Sequence, residues 1–267
     1  ASWKEKTVNI VFVGSMTGAL HALRLSDGTP MWQKKLGDGL EAPALVVDDT
    51  LYIGGLDGTV HALSTADGTA RWTFATDGEI KGSANWFEDA EGNRFLLVGS
   101  YDSRLYCLRA SDGTLVWKYE TGNYINGAPS VTEGRVVFGG CDAMVHIVRT
   151  GDGEAVGTVD AGSYVAASVA QDGGQAFLGH YGGEVLGVDL AARTVRWRYG
   201  DPKRGSPFFA TPAWTGESVL IGGSDRNLHC IDRRTGKGRW VFQTRGEIKA
   251  PPVVAGKHVF FGADDGS

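Results

Sequence analysis

Cysteine is scarce. The three residues Cys107, Cys141 and Cys230 are too few and too far apart for a disulfide framework or a Cys-x-x-Cys metal site, so they leave the redox compartment open. No apolar run approaches the ~20 residues that a membrane helix needs. The N-terminus also lacks the charged-then-apolar pattern of a leader peptide, so the chain as it stands is expected to be soluble, with no transmembrane segment. Positive charge is thin: 26 Lys and Arg against 31 Asp and Glu give a net charge of −5. The basic residues are scattered or in short pairs such as Lys34-Lys35 and Arg233-Arg234, with no phosphate-neutralising stripe, which argues against nucleic acid as a partner. Catalytic signatures are missing too: there is no Gly-x-Ser-x-Gly elbow, phosphate loop or Ser-His-Asp order.

Glycine is abundant, with 40 residues against only eight prolines and no low-complexity tract, which points to many tight turns rather than to disorder. The glycines are ordered by a repeat. Gly14, Gly54, Gly99, Gly139, Gly179, Gly222 and Gly262 each close a short β-branched run, at successive spacings of 40, 45, 40, 40, 43 and 40 residues. The period runs the length of the chain, so residues 1–267 read as one domain.

Within one unit, Leu51-Tyr52-Ile53 reads as a strand, Leu56-Asp57-Gly58 as a hairpin turn, Thr59 to Leu63 as a second strand and Asp67-Gly68 as another turn. A third strand runs through Trp72, and a fourth begins near Gly82. The dipeptides supply the positive φ of tight hairpins, and Val, Ile, Tyr and Thr suit the pleat between them. Labelled C, D, A and B in chain order, four short antiparallel strands per forty residues predict an all-β propeller of about seven four-stranded blades. The A strand is expected innermost and the D strand outermost. Ala1-Ser2-Trp3 reads as an opening B strand, and the sequence stops at Asp264-Asp265-Gly266-Ser267 where a D strand is due. The terminal blades are therefore expected to be incomplete, and their open edges could self-associate.

Tryptophan stands four residues after the turn glycine in Gly28/Trp32, Gly68/Trp72, Gly113/Trp117 and Gly236/Trp240. This resembles the tryptophan-docking motif Ala-x-Asp-x-x-Thr-Gly-x-x-x-Trp of the PQQ-like, quinoprotein-type propeller repeat family. Cys230, Asp232, Thr235, Gly236 and Trp240 follow it well. The fourth unit departs from it with Gly157 in place of tryptophan, and the fifth with Arg193 in place of the glycine before Trp197. Trp32, Trp72, Trp117, Trp197 and Trp240 are expected to cement neighbouring blades, each indole N–H finding a carbonyl.

Quinone-dependent enzymes of that superfamily carry calcium ligands, a catalytic aspartate and an adjacent cysteine pair, none of which maps onto this sequence. No catalytic residue, metal site or cofactor is therefore assigned. Cys107 and Cys230 sit in the small-residue slot of strand D and read as packing residues. His21, His61, His146 and His229 share one register of strand D; they are expected as half-exposed rings around the rim, unable to converge on one metal. Asp57, Asp102, Asp142, Asp225 and Asp265 recur in the C–D turn and are expected to accept turn amides.

Recognition is sought where the repeats differ, in the turn from strand A to strand B. An apolar middle residue is kept there while its neighbours change, which nominates Glu41, Glu79, Lys81, Tyr124, Asn126, Tyr164, Phe208, Phe209, Glu247 and Lys249 as a funnel around the channel mouth. The longer turn Gly200 to Pro207, with Lys203 and Arg204, protrudes on the same face, whereas Glu88 to Arg94 reads as a solvated loop on the opposite one. The expectation is a non-catalytic propeller that binds a protein or peptide. An oxidoreductase remnant dependent on PQQ or calcium and the sensor domain of a larger membrane protein stay open as alternatives. The resemblance implies a periplasmic or extracellular location, like that of its assembly-factor and sensor-domain members.

Overall fold

The computed structural model describes residues 9–203 and 205–266. Among them lie only strands and turns, in seven antiparallel sheets arranged as blades in chain order. Five blades have four strands; the second, for instance, is Leu45–Val47, Thr50–Gly54, Thr59–Ser64 and Ala70–Ala75. The first described sheet has three strands, Ile10–Gly14, Ala19–Arg24 and Pro30–Lys35, and the seventh has two, Val253–Ala255 and His258–Phe260. The opening strand read at Ala1-Ser2-Trp3 lies outside the described residues, as do Arg204 and Ser267.

The radial order of the strands differs from the expectation: it runs B, C, D, A from the axis, with strand A outermost instead of innermost. The short B strands meet one another across blades, Asn85–Glu88 against Ser130–Thr132 and Ser130–Thr132 against Ala170–Gln171, which puts them at the axis. Strand A, with its tryptophan, is the outermost strand, and strand D is third from the axis. The reason is geometric: blades converge at the axis, where only two to four residues per strand fit, and diverge toward the rim, where a wedge opens between sheets.

The indoles fill that wedge. Trp32, Trp72, Trp117 and Trp197 donate Nε1–H to Thr65, Ala110, Thr150 and Arg233 carbonyls of the following blade at 3.1, 3.0, 2.8 and 2.9 Å. Each ring lies on that blade's turn glycine: a Cβ added to Gly68, Gly113, Gly153 or Gly236 would stand 2.5–2.9 Å from it. On its own sheet each indole pairs with a small residue of strand D, among them Ala22, Ala62, Cys107 and Gly187. A bulge before each tryptophan swings it toward the neighbour. Trp240 takes the same register opposite Cys230 but is 46% exposed.

The two departures from the motif form one compensated site. Where Gly157 replaces tryptophan, Arg193 of the next blade replaces the turn glycine, at φ +56°, lies over the Gly157 backbone and donates to the Val156 carbonyl at 2.9 Å. Ile147, opposite Gly157, replaces the small residue and is fully buried. Volume lost with the indole is thus returned from both sides.

Candidate functional site

The anchor glycines carry the loops of one face. After each outer strand the chain crosses from the rim back to the axis of the next blade, and the apolar residue in mid-crossing packs onto the anchor glycine of the blade it has just left. Leu40, Ile80, Ile125, Val165, Phe208 and Ile248 sit on Gly14, Gly54, Gly99, Gly139, Gly179 and Gly222, so closely that a Cβ on any of these would come within 2.9 Å of them or less. All six are at most 4% exposed. Phe208 therefore belongs to the core, packed with Phe177, Trp197 and Ile221; its nomination as a recognition anchor is corrected.

Backbone hydrogen bonds tie each crossing loop to two C–D hairpins. Ile80 N–H donates to Gly55 O of the blade behind, and Tyr101 N–H of the blade ahead donates to Glu79 O. The same ties recur at Cys141 to Tyr124, Tyr181 to Tyr164, Ser224 to Pro207 and Asp264 to Glu247. The position before each crossing residue therefore faces outward, and the position after it points to the axis.

Six crossing loops meet in a cavity of about 610 Å³ at the channel mouth. Glu41, Lys81, Asn126, Phe209 and Lys249 line it together with Ser83, Asn85, Ser130, Ser168 and Thr211. Its wall is stitched by Asn85 Nδ2 to Pro129 O and Asn126 Nδ2 to Ala166 O, each at 2.9 Å, and by Ala128 N–H to Ser168 Oγ at 2.8 Å. Of the nominated residues, Glu79, Tyr124, Tyr164 and Glu247 are not in this wall; they form an outer ring on the same face. There Glu79 pairs with Lys81 at 2.9 Å, and Glu247 and Asp264 pair with Lys249 at 3.1 and 2.8 Å.

Two aromatic residues of this face were missed in the sequence. Tyr101 stacks on Tyr124 with ring centroids 4.9 Å apart and planes within 1°, carries the Lys81 ammonium 4.5 Å above its ring and donates its hydroxyl to Asn126 Oδ1 at 2.8 Å. Tyr181 meets Phe209 edge to face at 4.7 Å. Both occupy the most variable position of the C–D hairpin, where the other blades have Met16, Leu56, Cys141, Ser224 and Asp264. That variability was the signal available.

The histidine and aspartate series is structural, though not as half-exposed rim rings: His61, His146 and His229 are at most 8% exposed. Asp142 accepts the turn amide of Met144, the loop amide of Gly122 and Nε2–H of His146. His146 Nδ1 then faces the Tyr119 hydroxyl of the preceding blade at 3.1 Å. Burial pushes the His146 pKa down, against the opposing pull of Asp142; in the neutral ring that burial favours, Nε2–H donates to Asp142 and Nδ1 accepts from the Tyr119 hydroxyl. Asp225, His229 and Tyr199 repeat the chain across the next-but-one junction. Repetition at two junctions marks these as inter-blade bolts. Among the described residues no three His, Cys, Asp or Glu side chains gather as a metal site.

A calcium-held quinone does not fit the channel mouth, because calcium takes 6–8 oxygen ligands rich in carboxylate, while the wall offers one carboxylate, Glu41, beside the Lys81 and Lys249 ammonium groups. The longer turn after Thr194–Gly200 borders a second hollow of about 530 Å³, with Arg198, Asp201, Ser206 and His229. The turn opened by Glu88 on the opposite face is closed by Asp89, which accepts from Glu91 N–H, Asn93 N–H and Asn93 Nδ2.

A family profile described as "Outer membrane protein assembly factor BamB" matches residues 7–85, 80–210 and 182–267. The crystal structure of BamB from Moraxella catarrhalis superposes with a TM-score of 0.82 at 19% identity, over 97% of this chain and 80% of that one. The computationally designed Ika8 protein superposes with a TM-score of 0.84 at 18% identity, over 98% of this chain and 80% of that one. At these identities the two structures speak for the propeller fold. No curated protein matches the chain.

Proposed function

The chain belongs to the outer membrane protein assembly factor BamB family, and from that premise we propose that it is a non-catalytic, protein-binding propeller serving outer-membrane protein assembly in the periplasm. The observation that carries the reading is the crossing-loop face. Its backbone is held rigidly by the same ties at each junction, while its outward side chains change from blade to blade. A repeat that fixes the scaffold and varies the surface has the form of a recognition platform. Tyrosine at exposed loop positions supplies large, stiff contact area of the kind that dominates interface energetics. The partner docks across the channel mouth and the outer ring, touching Glu41, Asn126, Tyr124 and Tyr164.

Site-specific photo-crosslinking tests this. A photoreactive residue at Glu41 or Asn126 is expected to form an adduct that mass spectrometry identifies as a component of outer-membrane protein assembly. The same residue at Leu25, exposed on the opposite face, is expected to form none. Equal labelling from both faces, or adducts only from Leu25, would overturn the assignment.

A further inference from the structure

The crossing-loop face is chemically divided. On one side its charges are already spent on one another, Lys81 with Glu79 and Lys249 with Glu247 and Asp264. On the other, Tyr124, Tyr164 and Tyr181 are 49%, 57% and 49% exposed. The Cys141 and Tyr181 N–H groups of the hairpins ahead tie down the Tyr124 and Tyr164 carbonyls, and the small residues Cys141 and Ala166 belong to the same stretch. The crossing loops of Tyr124 and Tyr164, residues 121–129 and 161–169, contain no Lys, Arg, Asp or Glu, and charge returns in the longer loop before Phe209, with Asp201 and Lys203. The Tyr101 hydroxyl is taken by Asn126, but those of Tyr124, Tyr164 and Tyr181 have no hydrogen-bond partner among the described residues.

We propose that this tyrosine arc docks a proline-rich, uncharged segment of the partner in polyproline II conformation. The proposal rests on reading the crossing-loop face as the docking face and names the chemistry of what it takes. A polyproline II strand makes no internal hydrogen bonds, presents all its carbonyls outward and, at each proline, has no N–H to satisfy. It is rich in acceptors and poor in donors, whereas the arc offers phenolic O–H donors on flat apolar rings. Proline rings stack on such faces, and the preformed helix loses little entropy on docking. An ordinary β-strand would bring N–H donors alongside its carbonyls, and the arc's rings offer those donors no acceptor beyond the phenol oxygens. An acidic or basic segment would find no opposite charge in the loops of Tyr124 and Tyr164.

The test is fluorescence anisotropy of a labelled decaproline peptide titrated with the full chain, beside a Gly/Ser peptide of equal length and the neutral oligosaccharide cellohexaose as competitors. Saturable decaproline binding is expected, weakened about tenfold or more by Tyr124→Ala and by Tyr164→Ala, unchanged by Leu25→Ser, and not displaced by either competitor. Circular dichroism checks that the variants fold. Absence of decaproline binding, equal binding by the tyrosine variants, or displacement by cellohexaose would overturn the proposal. If decaproline fails while Tyr124→Ala and Tyr164→Ala still abolish the crosslinked partner adduct from Asn126, the polyproline chemistry is wrong and the docking face stands. If the adduct also survives both substitutions, the docking face itself is wrong at the arc.

Discussion

The compensated junction between the fourth and fifth blades yields a quantitative prediction. Restoring the repeat there requires Ile147→Ala, Gly157→Trp and Arg193→Gly together. Ile147→Ala alone empties a fully buried site and is expected to cost about 2–5 kcal/mol. Gly157→Trp alone drives an indole against the Ile147 side chain and the Arg193 Cβ; elsewhere in the ring a Cβ at that place would lie 2.5–2.9 Å from the indole, so overpacking of about 1–3 kcal/mol is expected. Arg193→Gly relieves a left-handed non-glycine residue at φ +56°, worth about 1–2 kcal/mol, and loses the hydrogen bond to Val156 O, worth about 0.5–1.5 kcal/mol; its net effect is near zero. Added independently, the three come to a loss of about 3–8 kcal/mol. The triple variant, however, rebuilds the arrangement of the other junctions and is expected within about 1–2 kcal/mol of the parent. Urea unfolding followed by tryptophan fluorescence and far-UV circular dichroism reads the difference. In a thermal melt it separates a few degrees from a fall on the order of 10–20 °C. A triple variant as unstable as the sum of its singles would refute the claim that the three positions form one packing unit.

Other expectations follow from the same geometry. Trp72→Ala, which removes an indole held between blades and its bond to Ala110 O, is expected to cost about 3 kcal/mol, and Trp240→Ala, 46% exposed, about a third as much; comparing their denaturant midpoints checks the wedge account. Gly99→Ala, whose methyl would meet Ile125 Cγ2, is expected to destabilise by about 1–3 kcal/mol, and Gly99→Ala/Ile125→Val is not expected to recover the loss, because valine keeps that methyl; thermal unfolding reads both. Burial holds His61, His146 and His180 below the ordinary histidine value of 6.5. The unfolded chain therefore binds more protons than the folded one once pH falls through about 6.5, and stability declines from pH 7 toward the lower folded-state values. His61→Leu, which copies Leu186 at the same register and removes a buried Nε2 with no hydrogen-bond partner among the described residues, is expected to flatten that decline in unfolding midpoints measured from pH 7.5 to 5.

The blade and its period were legible because turn chemistry repeats: an anchor glycine precedes every C–D hairpin and Asp-Gly marks four of the turns from strand D to strand A, and a two-fold pleat leaves little freedom between them. Radial order was not legible from those signals, since turns mark where strands reverse and not which edge faces the axis. The usable clue was length. Leu45–Val47 or Ala170–Gln171 fits only where blades converge, while the outer strand Ala70–Ala75 alternates exposed and half-buried residues as an edge does. The departures at Gly157 and Arg193 were visible singly; their pairing was hidden because the partners come from successive repeats and meet only across the wedge. Among the loop residues, the third positions converge on the channel because they end each crossing at the inner strand. Phe208 does not join them, because it occupies the apolar row of Ile80, Ile125 and Ile248 that packs on the anchor glycines.

The central claim is that partners dock on the crossing-loop face. Hydrogen–deuterium exchange of the chain alone and with its crosslink-identified partner measures this across the whole backbone. Slowed exchange is predicted in the crossing loops 121–129 and 161–169 and in the hairpins at Tyr101 and Tyr181, with the opposite-face turns at Asp27, Asp67 and Asp112 unchanged. Protection confined to those opposite turns or to the outer tryptophan strands, with the crossing loops exchanging as in the free chain, would contradict it.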